Sequence, residues 1–187
     1  LGSEEQRKLL LPRIASGELD IVVGYSEPEA GSDLANLQTT AVRQGDDFIV
    51  NGQKLFQSGA NHAHYAWLAV RTDPNLPKHK GIAILLVDMN SPGVTLDQYR
   101  TMSGWWHHGV VFDGVRVPQT MLVGEMNKGW YAIMAAIDFE RAANASPGHM
   151  IRLYDILLQY CRETEKNGNA LIDDPIIRNA LADLHSE

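Results

Sequence analysis

The chain has 187 residues, of which 44% are hydrophobic and 21% charged, with a net charge of −7 and one cysteine, Cys161. This is the make-up of a globular protein, with room for one sizeable domain or one domain and part of another. The acidic balance leaves no basic face for nucleic acid, a single thiol fits a reducing, cytoplasmic setting, and no apolar run approaches the ~20 residues that span a bilayer.

The first predicted element is a helix over residues 3–16. Ser3 reads as its N-cap and Gln6, three positions on, completes a capping-box pattern. Leu9, Leu10 and Ile14 supply part of an apolar face, Pro12 removes one helix hydrogen bond and is expected to bend it, and Gly17 is a natural stop. The charged opening residues Glu4, Glu5, Arg7 and Lys8 do not read as a signal peptide. No methionine begins the chain, and Leu184-His185-Ser186-Glu187 carries no structural stop, so both ends are expected to be cuts in a longer sequence.

From Asp20 to about Gly124 short β-rich runs alternate with turn residues. Ile21-Val22-Val23, Phe48-Ile49-Val50, Tyr65 to Val70, Ile82 to Val87 and Val110-Val111-Phe112 are the clearest strands. Gly45-Asp46-Asp47 and Asn51-Gly52 flank one of them and predict tight hairpins at both ends. Strands at this spacing with no helices between them predict an antiparallel sandwich or barrel rather than a βαβ unit.

After Lys128 the period becomes helical. Trp130, Ile133, Met134 and Ile137 fall on one face. Pro147-Gly148 should weaken or bend this stretch. Ile151, Tyr154, Leu157, Leu158 and Cys161 continue an apolar stripe, Asn167-Gly168-Asn169 marks a turn, and Asp174-Pro175 opens a last helix with Ile177, Leu181 and Leu184 inward. The fold class is therefore α+β, a β-domain flanked by helices.

Three segments carry more than fold information. Tyr25-Ser26-Glu27-Pro28-Glu29-Ala30-Gly31-Ser32-Asp33 is, taken alone, a polar loop after a strand, and a plain surface turn explains it. Asn51-Gly52-Gln53-Lys54-Leu55-Phe56-Gln57-Ser58-Gly59 and Phe112-Asp113-Gly114-Val115-Arg116-Val117-Pro118, with Gly124, follow in order. Together they resemble the acyl-CoA dehydrogenases, which carry Thr/Ser-Glu-Pro-x-Ala-Gly-Ser-Asp, Asn-Gly-x-Lys-x-Trp-Ile-Ser/Thr-Asn and Phe-x-x-Val-x-Val-Pro at matching spacing. The resemblance covers essentially the whole chain. It implies that residues 1–17 end a preceding helical domain, 18–126 form the middle β-domain, and 127–187 begin the C-terminal helical domain.

The resemblance also implies roles. Tyr25 and Ser26 would border the isoalloxazine of FAD, with Ser26 on its pyrimidine edge. Ser32 would contact the cofactor phosphate and the substrate region. Phe56 stands where the family has a tryptophan packed on the flavin, and Ser58 would hydrogen-bond near flavin N5. Gln57 and Gly59 depart from the family's Ile and Asn. In Ile137-Asp138-Phe139-Glu140-Arg141, Glu140 would be the catalytic base and Asp138 and Arg141 would meet substrate. A bare reading makes this segment a charged patch on a helix, and the family's other location for the base lies beyond Glu187.

The reaction implied is α,β-dehydrogenation of an acyl-CoA to the trans-2-enoyl-CoA, with an electron-transfer flavoprotein-type acceptor, in a homo- or hetero-oligomer. Residues 168–175 lack the family's Arg-x-x-Phe-Gly pattern. They resemble instead divergent bacterial members, some of which act on bulky or steroid-linked acyl-CoAs as heteromers. A non-catalytic partner subunit and a related flavin oxidase are the alternatives. The piece alone is expected to be inactive and to bind FAD poorly. His62, His64, His107 and His108 lack the further spaced ligands a metal centre needs. Trp105-Trp106-His107-His108 replaces a longer family linker and reads either as a reshaped acyl pocket or, by slight preference, as a packed aromatic corner.

Overall fold

A computed structural model of the chain describes residues 1–144 and 147–186. Helix α1 spans Glu4–Ala15 with Pro12 inside it, and the Ser3–Gln6 capping box is formed in both directions. The Gln6 amide also donates to the carbonyls of Thr120 at 2.7 Å and Leu122 at 3.0 Å, which fixes the helix to the far end of the β-domain. Of the expected apolar face only Leu10 is buried, while Leu9 and Ile14 are exposed.

Eight strands form one sheet: β1 Ile21–Gly24, β2 Thr40–Gln44, β3 Asp47–Gln57, β4 Tyr65–Arg71, β5 Ile82–Asp88, β6 Val94–Arg100, β7 Trp106–Pro118 and β8 Leu122–Val123. The order is β6-β7-β3-β2-β4-β5-β8, with β1 beside β4. The antiparallel expectation holds for the β2–β3, β3–β7, β4–β5, β5–β8 and β6–β7 pairs. Strand β4 adds two parallel neighbours on its other edge. β1 pairs with its first half, Tyr65 to Leu68, and β2 meets its end at Arg71. The chain thus leaves the sheet after Gly24 and rejoins the same edge at Thr40. A parallel pair needs a long crossover, and residues 25–64, with the β2–β3 hairpin inside them, provide it.

The core follows the two-residue period of strands. Ala66, Leu68 and Val70 from β4 meet Ala83, Leu85 and Val87 from β5, and the same cluster takes in Val110, Phe112, Val115 and Val117 from β7. Strands β5 and β7 are not neighbours in the sheet, so sharing one core means the sheet curls back on itself. β5 is buried on both faces from Ile82 to Val87. The start of α2, Gly129–Asn144, lies on its backbone: a Cβ at Gly129 would stand 2.7 Å from the Ala83 backbone.

Gly45-Asp46 does form the tight β2–β3 turn, but Asn51-Gly52 does not. It lies within β3, where β7 carries one extra residue opposite it. The Asn51 side-chain oxygen accepts the Gly114 N–H at 2.8 Å and patches this bulge. Gly52, at φ +150°, passes so close to Thr39 that a Cβ would come within 2.5 Å of Thr39 Oγ1.

The chain divides within α2 into two compact units, Leu1–Ala136 and Ile137–Glu187. The second holds α3 Pro147–Glu163, the two-stranded ribbon β9 Glu165–Lys166 and β10 Asn169–Ala170, and α4 Pro175–Ser186. The interruption expected at Pro147-Gly148 touches residues 145–146, which lie outside the described residues; α3 starts with proline at its first position. The Asn167-Gly168 turn has positive φ at both residues, as a two-residue hairpin of this hand requires. Cys161 and Leu181 are buried, whereas Leu184 is exposed. Among the described residues no helix is long and apolar enough to cross a membrane.

Candidate functional site

The loop between β1 and β2 is pinned from inside. Lys54, on β3, is fully buried, and its ammonium sits 2.7 Å from Glu27 Oε1. It also donates to the Tyr25 carbonyl at 3.1 Å. Glu27 in turn accepts the backbone N–H groups of Gln38 at 2.5 Å and Thr39 at 2.9 Å. Both ends of the loop are thus tied to one carboxylate, and the Leu55 N–H donates to the Ser26 carbonyl at 2.8 Å to lay the loop along β3. Burial pulls the Lys54 ammonium down to about 8, against the opposing pull of Glu27. Burial pushes Glu27 upward, but the Lys54 charge and its hydrogen bonds outweigh that and hold it below the usual carboxylate value.

A second bulge shapes β3 at the same place. Lys54 faces Val110 and Gln57 faces His108, so Leu55 and Phe56 together oppose Gly109 alone. Phe56 takes φ +60°, rare for a bulky residue, and the residue is 62% exposed. The extra residue is what re-aims it outward. Its N–H, released from the ladder, donates to the Tyr99 hydroxyl at 3.1 Å. The two rings meet edge to face at 6.3 Å. Tyr99 is the cross-strand partner of His107 and stacks on its ring at 6.2 Å. The His107 Nδ1 lies 3.3 Å from Ser58 Oγ. On the loop side, the Trp67 indole N–H donates to the Tyr25 hydroxyl at 3.0 Å.

Tyr25, Ser26, Phe56 and Ser58 are therefore brought together along the β3 edge. Ser32 lies exposed further along the same loop, past the Glu27–Ala30 bridge. Asp138, Glu140 and Arg141 are exposed on α2, in the second compact unit. Trp105 and Trp106 are 74% and 51% exposed, so the expected packed corner is not there; they ride on the β6–β7 turn, with the Arg100 guanidinium 5.9 Å over the Trp106 ring. Sequence reading attached no role to Glu27, Lys54, Trp67 or Tyr99. The Glu27–Lys54 pairing spans 27 residues and has no local signal. Only Gly109, opposite the bulge, hinted at a departure from regular pairing.

Two family models match the chain. Residues 23–115 fit "Acyl-CoA dehydrogenase, middle domain" and residues 127–187 fit "Acyl-CoA dehydrogenase, C-terminal domain". The chain belongs to the acyl-CoA dehydrogenase family. Among acyl-CoA dehydrogenases, FadE29 of Mycobacterium tuberculosis is 45% identical over 186 residues, 99% of this chain and 48% of that protein. The ChsE4-ChsE5 complex from Mycobacterium tuberculosis superposes with a TM-score of 0.79 at 42% identity, over 99% of this chain and 48% of that one. A structure described as the Tcur3481-Tcur3483 steroid ACAD gives 0.80 at 43% identity, over 98% and 47%. The chain spans about half the length of the curated dehydrogenases it matches.

Proposed function

We propose that the whole protein is an FAD-dependent acyl-CoA dehydrogenase that converts an acyl-CoA to its trans-2-enoyl-CoA. One observation carries this: the β3 bulge turns Phe56 out at φ +60°, with Ser58 two residues on and the Tyr25-Ser26 backbone hydrogen-bonded to the neighbouring Lys54 and Leu55. A half-bare aromatic ring in a strained conformation, held by a hydrogen bond behind it, suits a flat ring laid against it. Hydroxyls on either side suit the polar edges of such a ring. These residues fit a flavin, and Tyr25, Ser26, Phe56 and Ser58 would hold it, with Ser32 toward the phosphates and substrate. When bound, the flavin supplies the acceptor for the hydride that leaves the substrate β carbon.

The chain's own residues have two further tasks. Glu140 takes the α proton of the thioester as general base, and Asp138 and Arg141 contact the substrate beside it. Residues 18–126 act as the middle domain, with 1–17 and 127–187 as parts of helical domains on either side. The substrate class is a bulky, steroid-type acyl-CoA, a reading favoured by the likeness to a protein described as a steroid ACAD. An electron-transfer flavoprotein-type carrier would reoxidise the cofactor. The test is turnover of the full-length protein with steroid-side-chain acyl-CoA and an artificial electron acceptor. Glu140→Gln should lower kcat by ~100-fold or more while leaving FAD bound. Undiminished turnover in that variant would move the base elsewhere.

A second reading is favoured by the solved complex of two different chains and by Phe56 in place of the family's tryptophan. In it this protein supports a catalytic partner within a heteromer. Full-length protein that carries no flavin yet restores activity to a second dehydrogenase chain would establish that role instead.

A further inference from the structure

We infer that Tyr99 and His107 are positioning residues that set how Phe56 and Ser58 meet the flavin; this rests on the reading above. The two are cross-strand partners on β6 and β7; Tyr99 grips Phe56 of β3, and His107 meets Ser58 just past the end of that strand. The Tyr99 hydroxyl accepts the Phe56 N–H that the bulge removed from the ladder, at 3.1 Å, and so holds the residue at φ +60°. His107 stacks on Tyr99 and reaches Ser58 Oγ at 3.3 Å. Neither belongs to the three segments that carry the family resemblance.

The chemistry asks for a partner of this kind. A ring nitrogen that accepts a hydride is a hydrogen-bond acceptor before the transfer and an N–H donor after it. A serine hydroxyl serving it must donate in one state and accept in the other. The hydroxyl has one proton and two lone pairs, so a second partner able either to donate or to accept keeps its proton satisfied in both states. An imidazole nitrogen can do this, because Nδ1 is a donor in one tautomer and an acceptor in the other. A carboxylate in the same place would hold the Ser58 proton and keep it from donating to the ring nitrogen. His107 lets the Ser58 hydroxyl turn, and Tyr99 keeps both the His107 ring and the Phe56 backbone in register with it.

The experiment uses the full-length protein with FAD as the probe. Wild type, Ser58→Ala, His107→Ala, His107→Asn and Tyr99→Phe are compared by FAD dissociation constant, visible flavin band and flavin midpoint potential, with Tm as a folding control. His107→Ala and Tyr99→Phe should each weaken FAD by roughly fivefold, the worth of one hydrogen bond. His107→Ala should also displace the band and the potential, and His107→Asn, whose amide offers both a donor and an acceptor, should restore them. Equal losses in His107→Ala and His107→Asn would mean His107 only packs, and the inference fails. Wild-type behaviour of both variants alongside a shifted Ser58→Ala overturns the inference and leaves the flavin reading intact. A silent Ser58→Ala in a protein that binds FAD overturns the inference and leaves the flavin reading intact, and a wild type that binds none overturns both. Should His107→Ala not fold, His107→Asn and Tyr99→Phe decide: wild-type affinity in Tyr99→Phe sinks the brace.

Discussion

Lys54 and Glu27 form a charge pair with almost no water around it, at 0% and 4% side-chain exposure. Taking two ions out of water is costly, and their attraction offsets that cost only while both are present and fully hydrogen-bonded. Glu27→Gln should therefore destabilise the full-length protein by about 3–5 kcal/mol, because it strands a buried ammonium. The same variant should change the acid limb of the stability curve. Glu27 is held below its free value of 4.5 in the folded chain, so in the window beneath 4.5 the unfolded chain binds more protons and stability rises with pH. The carboxylate's contribution is complete above 4.5 and is lost as pH falls through the folded value. Lys54 obeys the same inequality between about 8 and 10.5, where the unfolded chain keeps a proton that the folded chain has released. Thermal melts across the acid range should show Tm falling steeply in wild type and more gently in Glu27→Gln. Parallel curves would mean that the pair does not control the acid limb.

At the scale of elements, β3 is the strand that makes the site, and it does so through two irregularities. One extra residue in β7 opposite Asn51-Gly52 and one extra residue in β3 at Leu55-Phe56 divide it into three registers. Gly52 is the point where the loop's return passes closest. Gly52→Ala would press a methyl group against the backbone and side chain of Thr39 at φ +150°, and should cost about 1–3 kcal/mol in a denaturant titration of the full-length protein. A neutral result would show that Thr39 and the end of the loop can retreat. The strands themselves were legible from Val, Ile and aromatic runs, as were the Gly45-Asp46 turn and the α1 capping box, since each is written in neighbouring residues. The reading of Asn51-Gly52 as a turn failed because a local signal competed with a long ladder: β3 pairs with β7 on both sides of that dipeptide, and the side chain of Asn51 was enlisted to mend the ladder instead. The parallel edge of β4 was hidden for a related reason, since it joins residues 44 apart in the β1 pair and 31 apart in the β2 pair.

For the molecule as a whole, the first unit has a continuous core and the second does not. Met150, Ile151, Leu153, Ile156, Leu157 and Tyr160 all stand exposed along α3, far more apolar surface than a short helical unit leaves bare by itself. Among the described residues, the expected inward face of α3 and α4 is fully buried only at Cys161 and Leu181, with Tyr154, Leu158 and Ile177 half-buried. With about half of the relatives' length represented, this chain alone should bind FAD roughly tenfold or more weakly than the full-length protein, because cofactor sites enclose most of their ligand. Titration of FAD into the two proteins side by side checks this, and equal affinities would place the whole cofactor site within these 187 residues. The residues proposed to face the flavin could be named from motifs, but the chain's means of presenting them could not. Tyr99, His107 and Trp67 enter through tertiary pairing that no motif records. The Glu27 clamp has a consequence for any ligand that arrives. It closes the irregular stretch from 27 to 39 into a ring through a single carboxylate, so both ends of this rim of the proposed site are tied down beforehand, and a newcomer spends less of its binding energy on taming a floppy loop.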